Sequence, residues 1–288
     1  MILKEIQQKF HQELDALFGS EEVESFFFLV LDHYLNKRRI DLALNPELEV
    51  SIEENQKFED VLERLKLEEP IQYILGETEF YGLTFHVNKF TLIPRPETEE
   101  LVNWIQEDLK NRKDPLKILD IGTGSGCIPV SLAKNFTNAE VFALDISQEA
   151  LEVAKKNAQN NSAKVHFLRG DILNYESLLQ DGRLIREFDV IVSNPPYVRN
   201  LEKHEIKNNV LEFEPHLALF VEDDDPLVFY RKIAQFAVEN LKEGGSLYFE
   251  INQYLGEEME SLMTQFQFRE IELKQDMFGN QRMIKGLK

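Results

Sequence analysis

A single cysteine, Cys127, stands in 288 residues, so the chain can close no disulfide within itself and offers no cysteine-based zinc site. A reducing compartment is the expectation. Positive charge is also short: 32 Lys and Arg stand against 52 Asp and Glu, a net charge of −20. That argues against holding nucleic acid chiefly through its phosphates, a mode that rests on Lys and Arg, and no direct nucleic-acid binding is expected. The acidic excess occurs in both halves, as a solvated surface would have it. No apolar run approaches the roughly 20 residues that span a bilayer. Met1 to Phe10 is polar at helical spacing, without the apolar block of a leader. These absences predict a cytoplasmic protein, monomeric and with no membrane partner. The six histidines show no metal-ligand spacing, so no metal is expected.

What is present is an ordinary globular composition, 43% hydrophobic and 29% charged, long enough for two domains. Up to about Leu75 the periodicity is helical throughout. Ile6, Phe10, Leu14 and Leu17 recur every three or four residues and predict one buried face, with Gly19 as the stop. Ser20 is placed to cap a second helix through Phe26 to Leu31, and Ser51-Ile-Glu-Glu54 has the form of a capping box before a helix ending near Lys66. Between about Gly76 and Pro96 the period becomes two: Glu79 to Asn88 reads as a hairpin around Gly82, anchored by Phe80, Leu83, Phe85 and Val87. A helix from Glu100 to Leu109, begun by Thr98 or Glu97, follows two prolines.

From Leu116 onward, apolar runs at residues 117–121, 140–144, 165–168, 188–192 and 246–251 alternate with helical patterns such as 147–160 and 226–241. This is the pattern of a doubly wound α/β sheet. Two last strands, at about 268–274 and 282–286, are predicted to pair antiparallel. Trp104 is read as core, Cys127 as a buried packing residue, and Glu222-Asp-Asp-Asp225 as a solvated loop capping the helix that Pro226 opens. His86, His166 and His216 are read as structural.

Asp120-Ile-Gly-Thr-Gly-Ser-Gly126 follows a predicted strand and opens a predicted helix. Such a loop lets the backbone pass close to a ligand, with free N–H groups at the helix start beyond it. Its G-x-G-x-G spacing departs from the dinucleotide fingerprint G-x-G-x-x-G and weakens a dehydrogenase assignment. Asp145, ending the next strand, is placed to accept from both hydroxyls of a ribose, and Asp171, ending the third, to meet the amino edge of an adenine. A nucleoside-containing cofactor fits these positions. The fourth strand delivers Asn194-Pro195-Pro196-Tyr197 to the same edge.

With that tetrapeptide the chain resembles Rossmann-like class I S-adenosyl-L-methionine-dependent methyltransferases that modify planar amino nitrogens, whose substrate motif is Asn-Pro-Pro-Tyr. The resemblance implies S-adenosyl-L-methionine as cofactor and S-adenosyl-L-homocysteine as product. It implies Gly122, Thr123, Gly124, Ser125, Gly126, Asp145, Asp171, Ile172 and Asn194 as cofactor-binding residues, and Asn194, Pro195, Pro196 and Tyr197 as catalytic ones. The residue types suit the chemistry: a planar nitrogen is a weak nucleophile, and Asn194 and the Pro195 carbonyl can each accept one of its N–H groups. The prolines stiffen the loop, and Tyr197 is expected to offer a flat face to the substrate.

Pro70-Ile-Gln-Tyr-Ile-Leu-Gly76, Phe80-Tyr-Gly-Leu-Thr-Phe85 and Leu92-Ile-Pro-Arg-Pro-Glu-Thr-Glu99 extend the likeness to the release factor glutamine methyltransferases, as do Glu212 to Leu219 and Asp276 to Arg282. That family implies an all-helical domain over 1–75 that positions the release factor, a β-hairpin linker over 76–96 and a methyltransferase domain over 97–288. It implies methylation of the glutamine in the Gly-Gly-Gln motif of class 1 peptide chain release factors. Two departures stand out. Ile172 occupies a place where the family often has tryptophan, and the chain is longer before Asn194, with a surface loop expected around Gln180-Asp-Gly-Arg183. Arg95 is open to two roles, holding the cofactor's carboxylate or an acidic residue between domains. The alternatives are an adenine-N6 DNA methyltransferase, which should carry a basic recognition region not found here, and a noncatalytic release-factor or ribosome-binding module, which should have lost the glycine loop or the Asn194 motif.

Overall fold

The computed structural model describes residues 1–180 and 187–288, so most of the expected loop after Gln180 lies outside the described residues. The chain divides into two compact units, Met1–Gly76 with Asn208–Phe213, and Glu77–Lys207 with Glu214–Lys288.

The first unit holds helices Leu3–Phe18, Ser20–Leu35, Arg39–Leu44, Ile52–Lys66 and Ile71–Leu75. Ile6, Phe10 and Leu14 gather with Val23, Phe27, Phe58 and Leu62 in one apolar cluster. Leu17, expected on this face, is exposed, and in the same last turn Phe18 packs against the cluster instead, its ring 5.2 Å from that of Phe26. Ser20 is already the first helical residue, and Gly19, at φ +82°, makes the junction in its place without a side-chain cap. Ser51 caps as expected. Its Oγ accepts from the Glu54 N–H at 3.2 Å, while its own N–H donates to Glu54 Oε2 at 2.7 Å.

The second unit begins with a hairpin, β1 (Glu77–Phe80) and β2 (Leu83–His86). Tyr81 and Gly82 turn it at φ +52° and +70°, the left-handed pair that a two-residue type I′ turn needs. The strands that follow are β3 (Leu116–Ile121), β4 (Ala139–Asp145), β5 (Val165–Arg169), β6 (Phe188–Ser193), β7 (Val198–Arg199), β8 (Phe220–Val221), β9 (Leu241–Glu250), β10 (Arg269–Gln275) and β11 (Gln281–Leu287). Seven form one sheet in the order β10-β11-β9-β6-β3-β4-β5, while β7 and β8 pair separately. The strands β9, β6, β3, β4 and β5 run parallel to one another, and β11 is antiparallel to both β9 and β10. β6 is buried throughout, as expected of a strand covered on both faces. Alternate residues of β3 enter different apolar clusters, Ile118 one and Leu119 the other.

Two boundaries moved. The helix expected to begin at Thr98 or Glu97 spans Pro96–Leu109, with proline in the first turn where its missing N–H costs nothing. The helix after the acidic loop spans Val228–Asn240 behind Leu227, with no side-chain cap; Asp225 instead grips Arg231 through both oxygens, at 2.8 and 2.9 Å.

The strand order fixes where a ligand can sit. From β3 the chain winds through β4 to β5 on one side, and from β6 it passes to β9 on the other. The carboxyl ends of β3 and β6 therefore flank the topological switch point, where open α/β sheets form their crevice.

Candidate active site

Leaving β3, the loop from Gly122 to Gly126 is folded back by backbone bonds: the N–H groups of Gly122 and Thr123 both donate to Leu144 O, at 2.8 and 3.1 Å. The Gly124 N–H donates to Asp145 Oδ2 at 2.8 Å, and the Ser147 N–H to Oδ1 at 2.9 Å. Asp145 thus orders the loop while each oxygen keeps a further lone pair for a ligand. Its pKa is raised by burial, against the pull of these N–H groups. Gly126 shows why glycine is required: its φ is +81°, and a Cβ there would lie 3.0 Å from the Ala154 Cβ. Asn157, fully buried, ties the hairpin to this loop, donating to His86 O and Ser125 O at 2.9 Å each and accepting from the His86 N–H at 2.7 Å.

Asn194 leaves β6 beside this loop, its carbonyl oxygen 3.9 Å from where a Gly122 Cβ would stand. Its side-chain Nδ2 donates to Thr98 Oγ1 at 3.3 Å. The Thr98 hydroxyl donates to Glu250 Oε2 at 2.6 Å, and the Tyr197 hydroxyl to Glu250 Oε1 at 3.1 Å. Burial raises the pKa of Glu250, and the bonds from Thr98 and Tyr197 oppose it. Asn252 holds the Tyr197 carbonyl at 3.0 Å and Glu202 Oε2 at 2.9 Å, and Glu202 pairs with Arg199. The motif rests on a second layer of buried polar groups.

The two walls enclose one cavity of about 380 Å³, a size usual for small-ligand pockets of roughly 300 to 1,000 Å³. Gly122, Thr123, Gly124, Ser125, Asp145, Asp171, Ile172, Asn194, Pro195 and Pro196 line it. Two expected site residues stand behind the wall. Gly126 packs on Ala154, and Tyr197 packs against the core of the sheet with its hydroxyl on Glu250, so the flat face expected for substrate is not on the cavity lining. Asp171 also closes a turn, accepting from the Leu173 N–H at 2.9 Å. Arg95 lines the cavity and pairs with Glu214, an acid of its own unit, whose other oxygen accepts from the Ile93 N–H at 3.2 Å. Cys127 is inert packing, its thiol pushed up to about 12 by burial.

Asp120, at the end of β3, was not singled out by sequence reasoning for a role of its own. Neither of its oxygens has a well-formed hydrogen bond within the chain, although it is fully buried. Burial pushes its carboxyl up to about 7; the nearby Thr123 hydroxyl opposes this and the charge of Asp145 adds to it. Thr98, Asn157, Glu250 and Asn252 were missed as well. The available signal was an acid closing an apolar strand at the ligand-binding edge, as Glu250 does for Leu247-Tyr-Phe-Glu250. Among the described residues no group of three or more His, Cys, Asp or Glu could hold a metal ion, and no helix is long and apolar enough to cross a membrane.

The model of the PrmC N-terminal domain matches residues 5–76, and a methyltransferase domain model matches residues 112–284. The release factor glutamine methyltransferase of Flavobacterium psychrophilum is 55% identical over 287 residues, covering 99% of both chains. That of Bacteroides thetaiotaomicron is 44% identical over 273 residues, covering 95% of both. A methyltransferase from Pyrococcus furiosus, 20% identical, superposes with a TM-score of 0.51 over 73% of this chain and 90% of its own, a likeness of fold alone. A methyltransferase sheet with its glycine loop and Asn194 motif at the switch point, behind a helical leader shared over full length with such relatives, places this chain in the release factor glutamine methyltransferase family.

Proposed function

We propose that the protein transfers a methyl group from S-adenosyl-L-methionine to the side-chain amide nitrogen of the glutamine in the Gly-Gly-Gln motif of class 1 peptide chain release factors. The observation that carries this reading is the meeting of Gly122 to Ser125 of the glycine loop and the Asn194-Pro195-Pro196 wall on one cavity. The residues suit the cofactor: Asp145 has lone pairs for ribose hydroxyls, and Asp171 and Ile172 offer an acceptor and an apolar wall for a base. When bound, the cofactor supplies a methyl already activated on a sulfonium.

The protein's work is to present a poor nucleophile. An amide nitrogen gives its lone pair to the carbonyl, and no side chain here is basic enough to deprotonate it. Asn194 Oδ1 and the Pro195 carbonyl each accept one of its N–H groups, which orients the lone pair and favours the charge that develops on nitrogen. Orientation of this kind is worth up to about 7–11 kcal/mol. The apolar wall of Leu144, Ile172 and Ile233 excludes water while the N–C bond forms and the S–C bond would break, and the extra proton passes to bulk water as the products leave. The helical unit is assigned the task of positioning the release factor, in line with the domain model it matches.

Incubation with methyl-labelled S-adenosylmethionine and either a class 1 release factor or duplex DNA tests this directly. One methyl on the Gly-Gly-Gln glutamine is expected, mapped by mass spectrometry. Label in DNA but not in the protein, or on another residue, overturns it.

A further inference from the structure

We propose that Glu250 is a positioning residue whose buried side chain, acting through the Thr98 hydroxyl, sets which end of the Asn194 amide faces the cavity. The inference rests on the acceptor role given to Asn194 above. An asparagine amide has one accepting and one donating end of nearly equal size, and only the oxygen can hold a substrate N–H. Turned over, the same side chain would point N–H at N–H and repel the group it must hold.

Asn194 does not settle this alone. Its partner is a hydroxyl, Thr98 Oγ1, and a hydroxyl can donate to an oxygen or accept from an amino group equally well. What removes the choice is the 2.6 Å bond from Thr98 to Glu250 Oε2. Against its burial, the hydroxyls of Thr98 and Tyr197 and the charge of Arg282 favour the ionised form of Glu250; in that form the carboxylate only accepts, so Thr98 spends its one proton there and keeps only lone pairs for Asn194. The Nδ2 end turns to Thr98 and Oδ1 is left for the cavity. Both partners are buried, at 3% and 1% exposure, so water does not scramble the polarity.

The other carboxylate oxygen takes the Tyr197 hydroxyl at 3.1 Å. One carboxylate therefore anchors the first and last residues of the Asn194–Tyr197 motif, which gives Tyr197 a task away from the cavity. Tyr230 adds rigidity by donating its hydroxyl to the Glu250 backbone carbonyl at 3.0 Å. Tyr197 and Glu250 stand off the cavity, and Thr98, which lines it, acts here through its bond to Asn194 rather than on substrate.

The test compares turnover on a release factor with cofactor affinity measured by calorimetry. Glu250→Gln keeps shape but brings an N–H₂ that can donate to Thr98 and release its proton toward Asn194. It is expected to lower kcat about ten- to a hundredfold, as a misplaced reacting group does, while cofactor Kd stays within about twofold because the other wall is untouched. Thr98→Ser keeps the hydroxyl and should retain near wild-type kcat; Thr98→Val should fall as Glu250→Gln does. The double variant Glu250→Gln/Thr98→Val should lose no more than Thr98→Val alone, since both break one chain of bonds. Unchanged kcat in Glu250→Gln, or losses that multiply in the double variant, overturns the inference. If Glu250→Gln does not fold, the Thr98→Ser and Thr98→Val pair decides, and equal kcat in the two overturns it. The wild type run alongside separates the cases: failure of the wild type to methylate glutamine sinks the functional reading, whereas wild-type turnover matched by Glu250→Gln sinks the role of Glu250 alone.

Discussion

Between Met1 and Gly76 every buried side chain is apolar, whereas the α/β unit buries Asp120, Asp189, Glu202, Glu214, Glu250 and Asp276 besides its apolar core. The helical unit follows from burial of apolar area alone, with its charges at the surface. The α/β unit bears the cost of dehydrating carboxylates, which is tolerated only where each is partnered. Glu214 has Arg95, Glu202 has Arg199, Asp276 has Arg282, and Asp189 has Lys242 and Arg112. Three of these carboxylates, Glu202, Glu214 and Glu250, brace segments that line or back the cavity. Asp120 breaks the rule and lies under the glycine loop. Four of the six thus gather at the site, while Asp189 lies at the opposite end of β6 and Asp276 just beyond β10.

The comparison is broken most forcefully by emptying the apolar side. Phe27 is fully buried, with its ring 5.7 Å from Phe10 and 5.9 Å from Phe58. Phe27→Ala should destabilise the helical unit by about 3–5 kcal/mol. Trp104, the only tryptophan, belongs to the other unit, so its fluorescence reports that unit separately. Hydrogen exchange over residues 3–66 should accelerate while the Trp104 transition stays close to wild type; loss of both together would show that the units do not answer separately.

Next in size is a polar deletion. Asn194→Ala removes an acceptor from the cavity and little apolar area, so melting should move only slightly. Turnover should fall about 10²- to 10³-fold, as for loss of one aligned hydrogen-bonding group in a transition state. Cofactor affinity should largely persist, because the glycine loop and Asp145 are intact. Wild-type turnover in this variant would mean that the Pro195 carbonyl alone holds the nitrogen.

The same division decides what the sequence discloses. Helical periodicity, the Ser51 capping box, the Gly82 hairpin and the G-x-G-x-G loop are local patterns, and each is found where its spacing predicts. Asp145, Asp171 and Asn194 were legible because strand ends in an α/β alternation converge on one edge. The brace was not: Thr98 and Glu250 are 152 residues apart, and their pairing depends on how the Pro96–Leu109 helix meets the end of β9. Leu17 and Tyr197 misled for a related reason, since periodicity and motif name a residue's type and direction but not what covers it.

A smaller effect separates the units by pH. The Asp120 carboxyl is held at about 7, above the ordinary aspartate value, so the folded chain keeps a proton that the unfolded chain releases near pH 4. Its contribution to stability is present below pH 4 and is lost as pH rises to 7. Asp120→Asn should flatten the Trp104 melting profile across that window. Hydrogen exchange in the helical unit, which buries no carboxylate, should follow the same course in variant and wild type. Parallel Trp104 profiles would show that the Asp120 carboxyl ionises freely despite its burial.

The slightest perturbation probes the local end of the contrast. Ser51 is exposed, and its Oγ does one thing, accepting the Glu54 N–H at the start of helix Ile52–Lys66. Ser51→Ala should cost about 1 kcal/mol, seen as faster exchange in the first turn of that helix. Removal of the Thr98 hydroxyl also breaks a bond at a first helical turn, yet that hydroxyl serves Asn194 and Glu250 and should cost turnover. Ser51→Ala should leave kcat on a release factor unchanged, because its orphaned N–H is at the surface and water replaces the lost partner. A drop in kcat comparable to that of Thr98→Val would mean that the order of the helical unit is transmitted to the chemical step, and the two units could no longer be treated as one held by area and one by paired charge.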